Sequence, residues 1–349
     1  MSASLQSHGR IPLVHITDLY HPPQDPDDHV DLATIVALPE YDLRAVVLDA
    51  TRKFLVAKPE GWDIVRAPGF EPVAQLGMLL GRTMSVASSP VEPLSDTGDT
   101  AAGSPVEEQE GIELLIDTLR SSADPVTISV VGSCRVLAAT FNREPELLKA
   151  KTRTVLLNAG STADPKREWN VGLDPHAYEA LWRSGLPIDW FPCGTDGSAF
   201  DPAHERGTFW KSEHSILFRD LKPGLRDWFA FALNGVDGKP IPRGERNMWS
   251  TISLVIGAGR VLARRPEGWR FVAGEDAGEY ELWPCRLDPV RATVDGEPRV
   301  HWELTDGPSP HRLFGRRPGP DYGAAMAEAL NALLRTIPPR AGYRAVPNS

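Results

Sequence analysis

From Ile11 to Thr17 the chain reads Ile-Pro-Leu-Val-His-Ile-Thr, a run apolar enough for a buried strand. Val30, Ala33, Thr34 and Ala37 then recur at helical spacing and predict a helix over residues 28–38. Leu43 to Leu48 reads as a second strand, residues 70–81 as a helix and Met84 to Ala87 as a short strand. Residues 88–105, rich in Ser, Pro, Asp, Gly and Thr, predict a long loop of the kind that is often functional or mobile. Glu107 to Arg120 is a helix: Ile112, Leu115, Ile116 and Leu119 share one face, and acidic residues fill its first turn. Val126 to Val131 is a strand entering a Gly-Ser-Cys turn, and a helix runs through Leu137 and Phe141. Thr154 to Leu157 and Pro187 to Phe191 are strands, with a helix from Pro175 to Arg183 between them. Strands alternating with helices predict an α/β fold with right-handed crossovers, an open, mostly parallel sheet flanked by helices.

The pattern changes in the last third. Residues 214–234 and 249–258 read as helical. Four short β-like runs follow, at residues 260–263, 269–272, 280–283 and 299–302, and a helix from Tyr322 to Leu334 closes the fold. No strong linker interrupts the chain, so a single domain over residues 1–349 is expected, with a β-rich C-terminal portion over 260–316.

The chain has 349 residues, enough for a sizeable core, and its 41% hydrophobic and 24% charged content is ordinary for a globular protein. A net charge of -10 argues against a nucleic-acid polymer as partner, while leaving a small nucleoside open. No run approaches the roughly 18 apolar residues of a membrane span. The start, Met1 to His8, lacks the regions of a signal peptide, so a cytoplasmic location is expected. Cys134, Cys193 and Cys285 are odd in number and far apart, which supports neither a disulfide framework nor a zinc cluster.

The candidate chemistry lies just past the first strand, where Asp18 is followed by Asp25-Pro26-Asp27-Asp28. Carboxylates buried together repel one another unless a cation neutralises them, and hard cations such as calcium take oxygen ligands. The carboxyl end of a strand is also where open α/β sheets place their ligands. The plain alternative is a solvated loop in which Asp27 or Asp28 caps the next helix.

Further on, Glu168-Trp169-Asn170 is followed by Asp174-Pro175, ahead of the helix that starts at Pro175. With Asp27-Asp28 after the first strand, this order resembles the inosine-uridine nucleoside hydrolase family, whose motifs are D-x-D-P-x-x-D-D and A-E-F-N-x-x-x-D-P. Val155 to Gly160 stands where the family has a strand and Gly-rich turn, and Ser184 to Ile188 resembles its next helix-to-strand turn. The likeness covers residues 11 to about 193 and the final helix; residues 194–320 carry little recognisable motif.

The resemblance implies hydrolysis of the N-glycosidic bond of a ribonucleoside or related N-riboside, with calcium as cofactor, in a homo-oligomeric protein. Asp18 or Asp25 takes the metal-binding, water-activating role; the stretch Leu19 to Gln24 looks inserted, and Asp18 is favoured because it ends the strand. Asp28 is the second metal ligand, Asp27 accepts a sugar hydroxyl, and a backbone carbonyl near Val131 or Gly132 joins the ion. Glu168 and Asn170 hold sugar hydroxyls. Their plain alternative is a polar turn, and that of Asp174 an ordinary N-cap.

One departure stands out. Where the family has His-Asp-Pro opening a helix, this chain reads Arg246-Asn247-Met248-Trp249-Ser250-Thr251. Asn247 can offer a neutral oxygen to the ion and Trp249 a face to the base, but no obvious acid remains for the leaving group. A rival reading is therefore a family member without hydrolase activity that binds a riboside or a partner. His21 and His29 flank the acidic cluster as other acids, with a surface or satisfied histidine as the plain alternative. Cys193 to Gly197 follows a strand and is placed to line a pocket, with a plain turn as the favoured reading, and Arg316-Arg317 reads as a solvated pair.

Overall fold

Strand β1 (Ile11–Thr17) is buried along nearly its whole length, and the sheet grows outward from it. The computed structural model describes residues 9–20, 26–55, 68–163, 168–196, 198–235 and 238–338. After β1 come α1 (Asp27–Ala37), β2 (Tyr41–Leu48), the short α2 (Arg52–Leu55), α3 (Phe70–Leu80), β3 (Val86–Ser88), α4 (Val106–Ser121) and β4 (Val126–Val130). Next are α5 (Arg135–Arg143), α6 (Pro145–Lys151), β5 (Thr152–Leu157), α7 (Trp169–Leu173), α8 (Pro175–Arg183) and β6 (Ile188–Trp190). Then follow β7 (Trp210–Glu213), α9 (His214–Leu217), α10 (Pro223–Asn234), β8 (Glu245–Met248) and α11 (Thr251–Gly257). The chain ends in β9 (Arg260–Arg265), β10 (Gly268–Ala273), β11 (Glu281–Leu282), β12 (Cys285–Val294), β13 (Val300–Leu304), β14 (His311–Arg316) and α12 (Tyr322–Leu334).

Nine of these strands form one sheet in the order β13-β12-β14-β6-β5-β4-β1-β2-β3. Every neighbouring pair from β3 to β14 is parallel, and β12 and β13 add antiparallel strands at one edge. This is the expected open, mostly parallel sheet. Its central strands are apolar on both faces because helices cover both. On β1, Leu13 packs into the layer with α1, α11 and α12, while Val14 and Ile16 pack toward α4, α5 and α8.

The later elements differ in detail from the pattern. The stretch 214–234 splits into α9 and α10, because Pro223 cannot continue a helix and holds Lys222 extended (φ -61, ψ 146). Three of the β-like runs make a separate sheet, β10-β9-β11, and the fourth is the edge strand β13. The strands β12 and β14 were not legible: Arg286, Asp288, Arg291, Arg312 and Arg316 interrupt their apolar positions, so alternation is broken. Arg316 is buried rather than solvated, because its guanidinium finds carbonyls and the Tyr322 ring inside the fold; Arg317 is exposed.

One buried ion pair ties the loops together. Arg135, at the start of α5, donates from Nε to Asp174 (2.9 Å) and from Nη1 to the carbonyls of Ala50 (3.1 Å) and Pro90 (2.8 Å). Asp174 also caps α8 through the Ala177 N–H (3.0 Å) and accepts from the Leu94 N–H (2.9 Å). Both side chains are fully buried. Removing one partner strands a buried charge, so Asp174→Ala should cost roughly 3–5 kcal/mol in urea unfolding. A loss below about 1 kcal/mol would show that the pair is not a structural tie.

Candidate active site

The sheet order reverses direction between β1 and β4: from β1 the chain builds outward through β2 and β3, and on the other side through β4, β5 and β6. Ligands of open α/β sheets bind beside such a switch point, outside the carboxyl ends of the strands. Asp18 follows β1 there, and Val131 follows β4. Solvent still reaches Asp18, although protein surrounds it on most sides.

Asp28 is buried on the first turn of α1, and its carboxyl group is hydrogen-bonded to that of Asp18. The Thr17 hydroxyl also donates to Asp28. Burial pushes both carboxyl groups above the usual carboxylate range; at Asp28 the charges of Asp18 and Asp31 add to it, while at Asp18 the hydrogen bond to Asp28 pulls back and the charges of Asp49 and Asp27 push up. Two carboxylates in contact need a shared proton or a cation between them. Asp27, at the first position of α1, is half-buried.

Two further buried aspartates lie nearby. Asp31, one turn along α1, accepts from the Ser250 hydroxyl and from the Thr251 hydroxyl (3.0 Å), which joins α1 to the start of α11. Asp49, after β2, accepts from the Ser133 backbone N–H (2.5 Å) and hydroxyl (2.9 Å). Gly132 permits this approach: a Cβ there would lie 2.5 Å from an Asp49 oxygen. Burial raises the Asp49 pKa, and the Arg135 charge pulls it back.

Glu168 and Asn170 stand at the exits of the adjacent strands. Glu168 caps α7: Oε1 accepts from Asn170 N–H (3.0 Å), and Oε2 from Gly160 N–H (2.9 Å) and Val171 N–H (2.8 Å). Burial raises its pKa against these backbone donors. The Asn170 amide nitrogen donates to the carbonyls of Asn158 (3.0 Å) and Val131 (3.3 Å), which directs its oxygen elsewhere as an acceptor. Asn158 Oδ1 is buried with no hydrogen-bond partner among the described residues. Cys193, after β6, lies close enough to Glu168, Asp27, Asp31 and Asp28 that their charges add to burial in pushing its thiol up.

The remaining candidates are placed as follows. Asn247 is half-buried on β8, opposite Lys211 of β7. Trp249 directly precedes Ser250 and donates its indole N–H to the Ala199 carbonyl (2.9 Å). Its ring packs against Phe209 at 5.3 Å and the exposed Phe200 at 5.5 Å. His29 is buried against Trp228, with ring centroids 5.1 Å apart. Asp25 and His21 lie outside the described residues. Sequence reading missed Asp31, Asp49 and the Ser250–Thr251 pair. Asp27, Asp28 and Asp31 stand at i, i+1 and i+4 of one helix, and that spacing was the available signal for Asp31.

Among the described residues, no three His, Cys, Asp or Glu side chains converge as a metal cluster; the convergent acidic pair is Asp18–Asp28. Its all-oxygen chemistry and its need for positive charge fit a hard divalent cation that also takes neutral oxygens.

No family model matches the chain. It is similar to the pyrimidine-specific ribonucleoside hydrolase RihA of Escherichia coli O7:K1 (strain IAI39 / ExPEC), at 29% identity over 182 residues, covering 46% of this chain and 55% of that protein. The match thus spans about half the length of that relative. Its fold is similar to that of a purine-preferring ribonucleoside hydrolase from Gardnerella vaginalis, with a TM-score of 0.57 at 15% identity, covering 93% of this chain and 99% of that one. It is also similar to the type III effector protein XopQ complexed with adenosine diphosphate ribose, with a TM-score of 0.55 at 15% identity, covering 95% of each chain. No helix among the described residues is long and apolar enough to cross a membrane.

The carboxylate cluster makes a pH signature. Burial pushes Asp31 up to about 7, and the Ser250 and Thr251 hydroxyls pull it back only in part. An unfolded aspartate titrates near about 3.9. Between these values the folded chain keeps a proton that the unfolded chain has lost, so this group's stabilisation is full below about pH 4 and falls as the pH rises toward about 7. Asp31→Asn has no such proton. Its stability relative to the parent should therefore improve between about pH 4.5 and about pH 8 in urea titrations. A difference that stays constant over that range would contradict the assignment.

Proposed function

We propose that this chain, a divergent relative of the nucleoside hydrolases by sequence and fold, hydrolyses the N-glycosidic bond of a ribonucleoside or related N-riboside. One observation carries the reading: the Asp18–Asp28 carboxyl pair sits at the exit of β1, beside the switch point, with Asn170 reaching the Val131 carbonyl from the next strand exits.

Cleavage leaves positive charge on the ribose, as in other oxocarbenium-like transition states. Negative charge from Asp18, Asp27 and Asp28 stabilises it as it develops. Asp18, raised in basicity chiefly by burial, takes the proton of the attacking water. Asp27, the Asn170 amide oxygen and the second lone pair of Glu168 Oε1 accept sugar hydroxyls. The orphaned Asn158 Oδ1 is a buried acceptor for which a hydroxyl-bearing ligand would supply the donor. Asp18 and Asp28, with the Val131 carbonyl and a neutral oxygen such as that of Asn247, would hold calcium. The ion would orient water and the ribose hydroxyls and make the water easier to deprotonate. Trp249 gives an aromatic face to the leaving base. Asp25 is proposed as the alternative to Asp18 in the water-activating role.

The stretch Arg246 to Thr251 offers the leaving group no histidine or carboxylic acid. A departing base needs a proton, and general acids commonly supply about 10²–10⁴-fold in rate. A nitrophenyl riboside leaves without one and should turn over faster than inosine or uridine in steady-state kinetics. Equal rates would show an acid elsewhere in the chain. Binding of ribosides with no turnover of either kind would favour a binding protein.

Two variants test the roles of the residues. Asp18→Asn should lower kcat on the nitrophenyl riboside by about 10²-fold or more, with the fold intact by circular dichroism. Asn170→Ala should weaken ribose binding by about 0.5–1.5 kcal/mol in calorimetry, the worth of a neutral hydrogen bond. Equilibrium dialysis should find calcium on the parent and less on Asp28→Asn; equal calcium on both would remove Asp28 from the ion.

A further inference from the structure

The segment after β6 is held in place with more ties than a surface turn requires. Arg316 on β14 is buried, yet no carboxylate pairs with it among the described residues. Its Nε donates to the Gly207 carbonyl (2.9 Å), its Nη2 to the Pro202 carbonyl (2.7 Å), and its backbone N–H to the Glu205 carbonyl (2.9 Å). The guanidinium lies 4.0 Å from the Tyr322 ring centroid, a cation–π contact, and the charge of Asp201 in the same loop also favours it. Arg206, within the same segment, bonds Asp288 of β12 (2.6 Å) and the Phe314 carbonyl (3.3 Å). A buried guanidinium is expensive, and here it fixes two carbonyls of one loop, with the Arg316 backbone N–H holding a third.

The other side of this loop meets the carboxylate site. Ala199 accepts from Trp249, whose neighbours Ser250 and Thr251 hold Asp31. Cys193, at the base of the loop, lies among Asp27, Asp28, Asp31 and Glu168. Phe209 is buried and supports Trp249, while Phe200 packs edge-on to both and stays 58% exposed. Among the described residues, a large aromatic side chain pinned yet this open is spare surface for a flat apolar group.

We propose that residues 198–209 are a specificity element: Phe200 covers the aromatic leaving group of the riboside, and Arg316 is the positioning residue that holds the loop for it. The proposal rests on the riboside reading above and adds the part of the substrate beyond the sugar. Phe200 touches the base and discriminates among leaving groups. Arg316 acts only through the loop. The antiparallel pair β12–β14 thereby gains a role, as the frame against which that loop is set.

Calorimetry with free ribose and with the free bases hypoxanthine and uracil separates the two claims. Phe200→Ala should lower affinity for at least one base by about tenfold and leave ribose affinity unchanged, as expected for the loss of a stacking partner. Kinetically, KM for nucleosides should rise with kcat held. Arg316→Lys, which keeps the charge and loses the fork, should weaken base binding in the same direction and leave ribose binding unchanged. Should Arg316→Lys not fold, Arg206→Gln cuts the second tie of the same loop and is expected to act likewise. Base affinity within twofold of the parent in Phe200→Ala, or no base binding by the parent, overturns the proposal while ribose binding keeps the hydrolase reading. Base binding that depends on Phe200 without any ribose binding overturns the hydrolase reading instead.

Discussion

Like charges crowded into one small volume govern this structure. Asp28, Asp31 and Asp49 are buried, and Asp18 is enclosed beside them, at the carboxyl ends of β1 and β2. Such a cluster is stable only if each oxygen finds a donor, a proton or a positive charge. The fold answers each in a different way. Ser133 supplies a backbone N–H and a hydroxyl to Asp49, Ser250 and Thr251 supply hydroxyls to Asp31, and Arg135 lends its charge from behind. Asp18 and Asp28 have each other, the Thr17 hydroxyl at Asp28 and a backbone N–H at Asp18. That balance leaves the pair in need of a shared proton or a positive charge.

The same constraint explains the surrounding architecture. Gly132 has no side chain because Asp49 comes within contact of where it would be. Arg135 and Asp174 lock the exit of β2, the loop after β3 and the start of α8 into one unit, so that the loops around the acidic cluster cannot drift apart. The long loop over residues 88–105 is accordingly well tied: Asn142 and Arg143 of α5 donate to its carbonyls at Thr97, Asp99 and Thr100. On the far side, Arg316 of β14 performs the same service for the segment after β6, and Arg206 ties that segment to Asp288 of β12.

Much of this was legible in the sequence. The apolar runs at β1, β2, β4 and β5 and the amphipathic spacing of α4 and α12 are local signals, and parallel order follows from their alternation with helices. Asp174 before Pro175 announced a capped helix start, and the cap is present. The crowding of Asp27 and Asp28 past the first strand pointed to the carboxyl end of β1, where Asp18 and Asp28 meet. Other features were hidden because their cause is not local. The strands β12 and β14 carry Arg and Asp whose partners, Arg206 for Asp288 and Asp189 for Arg312, are distant in sequence, so neither strand shows a clean apolar alternation.

The sequence by itself determined the class of fold, the order of its parallel elements and the segment in which acidic chemistry would be found, because periodicity and capping act within a few residues. Only the tertiary structure decided which aspartates meet: Asp18 after β1 meets Asp28 on α1, and Asp31 finds Ser250 and Thr251 some 219 and 220 residues away. It also decided that Arg316 is buried and that Phe200 is left open beside Trp249. Burial and charge balance are properties of the packed interior, and a side chain's energy there depends on neighbours that the linear order does not name.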